Sequence, residues 1–179
     1  MSSESSEQRA AWPERAASRL EAGRSPAIFQ RPLLAEAFAH ARECYPEECC
    51  GLMLGPPGSE LQRVVRCTNV QSVRYAKGES TLDASQGFWI DEQQLEHALR
   101  AAEERGEALR VIYHSHVDTE AYLSHTDLEA ALGPEGTPLW PGVGQLVVSV
   151  REGAVQGAVL FEWDGESGVY LGRPAREAD

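Results

Sequence analysis

The sequence has no excess of positive charge, no long apolar run and no CxxC pair, and each absence removes a class of protein. Sixteen Lys and Arg face 28 Asp and Glu, a formal net charge of −12 over 179 residues. A phosphate backbone demands a basic face, so nucleic acid is not an expected partner, and an acidic chain gains nothing from an anionic lipid surface. No apolar stretch approaches the roughly 20 residues of a membrane helix. The first 25 residues are charged throughout and lack the apolar centre of a signal peptide. The expectation is a soluble, cytoplasmic protein. Cys44, Cys49, Cys50 and Cys67 have no CxxC spacing and two are adjacent, which suits buried thiols in a reducing compartment better than a zinc ribbon or a disulfide framework. Beyond position 67 there is no cysteine, and beyond 125 no histidine.

What is present suggests one domain. Residues 1–27 are rich in Ser, Glu, Arg and Ala with little apolar periodicity, and read as a flexible extension. The folded unit is expected over 28–173, with a short tail at 174–179. Leu33, Leu34, Ala37, Phe38 and Ala41 recur at helical spacing, and Pro46 ends that helix. CCGLML reads as a buried strand, paired through the GPPGSE turn with LQRVVRCT. Residues 69–88 read as a long loop with an irregular strand. Asp91 is the N-cap of a helix with Leu95, Ala98, Leu99 and Ala102 on one face and Gly106 at its end. LRVIYHSH is a strand by its β-branched content, Ser124–Leu132 a short helix, and VGQLVVSV, VQGAVLFEW and GVYLG closing antiparallel strands.

The segment that carries chemistry is HSHVDTEAYLSHTD, residues 114–127. Side chains alternate along a strand, so His114 and His116 project from the same face, ~7 Å apart along the backbone. After an eight-residue connection the chain enters a helix with Asp127 in its first turn, where it can fold back as a third ligand. Two imidazoles and one carboxylate suit zinc and leave the fourth tetrahedral position open to water, the mark of a catalytic site. Such a site needs a general base, for which Glu48 is the candidate; the adjacent Glu47 points the other way if the segment is extended. Ser124 could donate to a developing oxyanion. Each residue has a plainer reading. Ser124 with Asp127 resembles a capping box, Asp127 alone suits a helix dipole, and an isolated His-x-His is usually two ordinary polar residues. Together the three form a ligand set of the right chemical types.

His114-Ser115-His116, seven residues, Ser124, two residues and Asp127, with a Glu before Cys-Gly upstream, resembles the JAMM motif of the MPN domain metallopeptidases (the JAB1/MPN/Mov34 family), in a compact prokaryotic form. The likeness covers roughly residues 30–163. It implies an α/β (α+β) fold, with a mixed, largely antiparallel curved sheet flanked by helices, of cytidine-deaminase-like architecture. It also implies a zinc-dependent hydrolase that cleaves the amide or isopeptide bond after the C-terminal glycine of a ubiquitin-like or sulfur-carrier β-grasp protein. On the matching positions His114, His116 and Asp127 hold one Zn2+ per chain, Glu48 three residues before Gly51 is the base, and Ser124 supports the oxyanion. Members of the family often dimerise, so a homodimer is a further implication. Many members have proline after the second motif histidine and before the motif serine; here Val117 and Leu123 stand there, so the connecting loop is expected to differ. No Cys or His follows Asp127, so a second, structural zinc is not expected. A non-catalytic scaffold of the same family, and a metal hydrolase of small molecules, are the alternatives. His40, His97 and His125 read as helix-face residues outside the site, Cys50 as a buried thiol, and Trp89, Trp140 and Trp163 as packing residues.

Overall fold

The computed structural model describes residues 18–179. The first 17 residues of the expected N-terminal extension lie outside them. In chain order the elements are β1 (Ser18–Leu20), β2 (Ala27–Phe29), α1 (Arg31–Cys44), β3 (Cys50–Gly55), β4 (Arg63–Cys67), α2 (Gln71–Ala76), α3 (Glu92–Glu104), β5 (Ala108–Val117), α4 (His125–Ala131), β6 (Gly144–Arg151), β7 (Ala154–Asp164) and β8 (Val169–Glu177). The strands form one mixed sheet in the order β1-β8-β7-β6-β5-β3-β4, with β2 also paired to β8. The β3–β4, β3–β5, β6–β7 and β7–β8 pairs are antiparallel. β1 and β2 run parallel to β8, and β5 parallel to β6. None of the described helices is long and apolar enough to cross a membrane.

The parallel β5–β6 pair explains why a site exists where it does. Two parallel neighbours need a crossover connection, and here residues 118–143 make it, carrying α4 past the carboxyl end of β5. Strand alternation then divides β5 between two faces. Tyr113 turns to the face covered by α1, where it packs with Ala37, Ala41, Met53 and Leu146. Ile112 turns to the opposite face, into a cluster with Leu52, Cys67 and Ala98 of α3. His114 and His116 follow Ile112 on that face. On the far side of them α4 docks through Leu123, Leu128 and Leu132 onto Phe161 and Tyr170.

β1 lies inside the segment read as an extension, while β2 and β8 straddle the expected boundaries at 27/28 and 173/174. The short helix α2 occupies part of the segment read as loop and irregular strand. At six residues, and with no side-chain cap, it has no apolar period to announce it. The cysteines are all free; Cys49, Cys50 and Cys67 are buried, and burial pushes the Cys67 thiol up to about 11.

Gly51 lies directly across from Tyr113 in the β3–β5 ladder, and a Cβ there would stand 2.4 Å from the tyrosine ring. The ring is held from behind by a 2.8 Å hydrogen bond between its hydroxyl and His40 Nδ1, so it has nowhere to retreat. Gly51→Ala is therefore expected to destabilise the fold by about 1–3 kcal/mol through overpacking. Urea titration would register this as a lower midpoint at constant slope.

Candidate metal centre and its cleft

The carboxyl end of β5 and the first turn of α4 bring His114, His116 and Asp127 together, with their ligand atoms within 4.8 Å of one another and all three residues buried. Nε2 of His116 lies 3.1 Å from Asp127 Oδ2, and Nε2 of His114 lies 3.2 Å from the same oxygen. Adjacent ligands on a tetrahedral zinc with bonds near 2.0–2.1 Å are themselves about 3.3–3.4 Å apart, so both His–Asp separations suit such an ion. The hydrogen bonding agrees. His116 Nδ1 is 2.9 Å from the Glu120 carbonyl, which only accepts, so this nitrogen carries a proton, and in the neutral ring Nε2 presents its lone pair toward Asp127. Both ring nitrogens of His114 are buried and, among the described residues, make no hydrogen bond, Nε2 having only its 3.2 Å approach to Asp127. A lone pair facing a carboxylate, beside an orphaned imidazole, calls for a cation between them. Burial alone would raise Asp127, but positive charge and donated hydrogen bonds from the imidazoles in their protonated form outweigh it and hold the carboxyl well below its ordinary range, a place that a bound cation would take over from those protons.

Local sequence sets each side chain. Ser124 is the N-cap of α4: its Oγ accepts from Asp127 N at 3.1 Å, and Asp127 Oδ2 accepts from Ser124 N at 2.9 Å, a complete capping box. The same carboxylate oxygen that closes the cap faces both histidines. Phe88 stacks on His114 with ring centroids 4.4 Å apart, and Tyr122 meets His116 edge-on. The connecting loop is held at several points. Ser149 Oγ donates to the Thr119 carbonyl, and Tyr45 Oη and Glu152 N both donate to Asp118. Leu123, at one of the two positions where the resemblance expects proline, is buried in the α4 core.

Glu48 is buried and Glu47 exposed. Ser115 N donates to the Cys49 carbonyl and Cys49 N to the Ser115 hydroxyl, which joins the two segments ahead of the Cys50–His114 pair, and continuing that register sets Glu48 across from His116. Its Oε2 has no hydrogen-bond partner among the described residues. Burial, with a smaller contribution from the Asp127 charge, pushes its carboxyl up to about 9.

A cleft opens beside these groups. The segment Gly87–Ile90 runs along one wall and α4 along the other, and Phe88 and Trp89 divide the space. One half, about 230 Å³, is apolar, with Ile90, Leu95, Ile112 and Trp140 around His114 and Asp127. The other, about 340 Å³, has Arg74, Ser80, Thr126 and Glu129 around Asp127. Trp89 and Trp140 are thus cleft walls, 38% and 37% exposed, and not the packing residues their hydrophobicity suggested. His125 is exposed and paired with Glu129, outside the centre. His40 lies on α1, as its helix-face reading expects, and is buried against Tyr113. Arg74 and Phe88 have no sequence motif; the Phe-Trp-Ile run before the Asp91 cap is the one trace they leave.

The site and the sheet together define a JAB-type domain: a mixed sheet with a His-His-Asp centre at the end of one strand and a buried acid just ahead of the neighbouring one. Residues 30–161 match the family described as prokaryotic homologs of the JAB domain, and the chain belongs to it. Curated relatives from Mycobacterium tuberculosis and Mycobacterium bovis, each named CysO-cysteine peptidase, are 34% identical over 110 residues, which is 60% of this chain and 67% of theirs. A solved structure from Salinibacter ruber is similar at TM-score 0.57 and 27% identity, covering 85% of this chain and 92% of its own. One from Desulfitobacterium hafniense is similar in fold, at TM-score 0.59 and 20% identity over 85% and 91% of the two chains.

Proposed function

We propose that the chain is a zinc-dependent metallopeptidase that hydrolyses the amide bond after the C-terminal glycine of a sulfur-carrier or other ubiquitin-like β-grasp protein. The observation that carries this reading is the pair of orphaned His114 nitrogens beside the His116 lone pair and the Asp127 carboxylate. His114, His116 and Asp127 would hold one Zn2+, which would lower the pKa of a bound water toward about 7 and polarise the scissile carbonyl. Glu48 accepts the proton of the attacking water and delivers it to the departing amine as the C–N bond breaks. Its burial without a partner keeps it basic enough for the first step and willing to hold the proton for the second. Ser124 Oγ still has its own hydrogen when it accepts from Asp127 N, and it donates that hydrogen to the developing oxyanion.

The wall of the cleft suits an extended tail. Asn69 engages the Gly87 carbonyl and the Trp89 amide, and Val70 N donates to the Trp89 carbonyl. In an extended segment the N–H and carbonyl of Phe88 then face the other way, toward the cleft, as an open strand edge on which a peptide can pair. The relatives' name supports a sulfur carrier as the partner. The free thiols suit a reducing, cytoplasmic setting. The test is a β-grasp carrier extended past its terminal Gly-Gly by one residue, incubated with the zinc-loaded protein and weighed by mass spectrometry. Loss of that residue is expected, chelation should stop it, and zinc should restore it. Cleavage that persists in a chelated, metal-free sample would sink the reading.

A further inference from the structure

Arg74 is the one Lys or Arg among the described residues that line either half of the cleft, and the groups around it are acidic: Asp127 and Glu129 on its own side, Glu92 on the other. In a chain of net charge −12, a cation set there is a selective feature of the site. It is also held in place. The guanidinium carbon lies 3.7 Å from the Trp89 ring centroid, a stack that fixes the plane of the fork. Nε has a long, 3.7 Å contact with the exposed Glu79. The two terminal nitrogens make no hydrogen bond or ion pair among the described residues, which leaves the bidentate end of the fork free within the 340 Å³ half that Asp127 also lines.

We propose that Arg74 reads the free α-carboxylate of the residue released from the carrier, and so sets the preference of the site for a free-acid terminal residue over an amide or an isopeptide-linked side chain. This rests on the peptidase reading above. The carrier's own terminal carboxyl is consumed in the scissile amide and brings no charge to the cleft. The nearest carboxylate to that bond is the one belonging to a terminal α-amino acid, two bonds beyond the amide nitrogen. An isopeptide bond to a lysine side chain has no carboxylate there, and neither has a longer peptide. A stacked guanidinium in the half-cleft that Asp127 also lines can therefore distinguish removal of one amino acid from deconjugation of a protein. The half-cleft has room for an amino acid and not for a folded domain.

The experiment compares three β-grasp carriers, ending in Gly-Gly-Ser acid, Gly-Gly-Ser amide, and Gly-Gly joined to the side chain of a lysine peptide; serine avoids a thiol that would bind the metal. The wild-type, zinc-loaded enzyme should prefer the acid to either of the others by about 10- to 100-fold in kcat/KM, the worth of a charge-assisted bidentate pair. Arg74→Gln should bring the acid-to-amide ratio close to one, and Arg74→Lys should restore part of it, each variant first checked for one zinc and an unchanged melting profile. A parallel binding measurement, with fluorescently labelled Gly-Gly-Ser acid and amide on zinc-loaded Glu48→Gln protein, reads the same preference without turnover. Turnover with equal rates on acid and amide, or a preference that survives Arg74→Gln, overturns the carboxylate site while leaving the peptidase reading intact. Arg74-dependent binding of the acid with no cleavage of any carrier leaves the site standing and overturns the peptidase reading instead.

Discussion

Glu48→Gln is expected to lower turnover by about 10²- to 10⁴-fold and, in the metal-free protein, to raise stability. The two effects have opposite signs because they come from one carboxyl in one environment. Glu48 is buried with an unpartnered oxygen, and its pKa rises from 4.5 to about 9, chiefly through burial and secondarily through Asp127. An acid whose folded pKa lies above its unfolded value binds more protons when folded. Stability therefore falls as pH rises through the window from about 4.5 to about 9, and is fully present below it. Glutamine keeps the shape without the ionisable proton, so at pH 8 the metal-free variant should exceed the metal-free wild type by about 1–3 kcal/mol. At pH 4 the two should coincide, since the wild-type side chain is then neutral in both states. Adding zinc should shrink the difference at pH 8, because a nearby cation favours the carboxylate. Thermal melts at the two pH values, with and without metal, read all of this. A variant that loses activity and stability together would identify Glu48 as a structural support and not a buried base.

Much of this arrangement was legible in the sequence, and for identifiable reasons. His114, His116, Ser124 and Asp127 belong to a continuous fourteen-residue stretch whose strand and cap periodicities fix their directions, so local rules sufficed. Glu48 was separable from Glu47 by the same strand alternation once the resemblance fixed its distance from Gly51. The elements with long, regular apolar patterns, α1, α3 and β5 to β8, were likewise readable. What was not readable depends on contacts between distant segments. β1 and β2 are three-residue strands that exist because the edge of β8 is there to pair with. The α2 segment and the Gly87–Ile90 wall owe their course to Asn69, whose amide bridges the Glu48 and Gly87 carbonyls. Arg74, Phe88, Trp89 and Trp140 line that wall and its cleft, and no spacing within the chain announces a meeting of residues from three different segments.

His116→Ala should abolish both metal binding and turnover, and comparison with Asp127→Asn separates the ligand role from the structural one. In the wild type, free zinc at about 1,000 times Kd should stabilise the folded state by about 4 kcal/mol, since an ion that binds the folded chain alone shifts the equilibrium by mass action. With His116 gone two ligands remain, and the zinc content should fall from about one per chain to near zero, with the zinc-dependent rise in melting temperature lost. The Glu120 carbonyl also loses its imidazole partner, so a modest loosening of the 118–123 loop is expected in the metal-free state. Asp127 has a second duty, because its Oδ2 closes the capping box with Ser124 N. Asparagine can still accept that hydrogen bond but brings no charge to a cation. Asp127→Asn should accordingly keep the helix α4, and a metal-free melting temperature close to wild type, while losing zinc and activity as His116→Ala does. Asp127→Ala should lose the cap in addition, at about 1 kcal/mol. Equilibrium dialysis with metal analysis, run beside the melts, decides the matter. Wild-type zinc affinity in His116→Ala would mean that the ion is held elsewhere, and a strongly destabilised Asp127→Asn would mean that the negative charge serves the fold before it serves the metal.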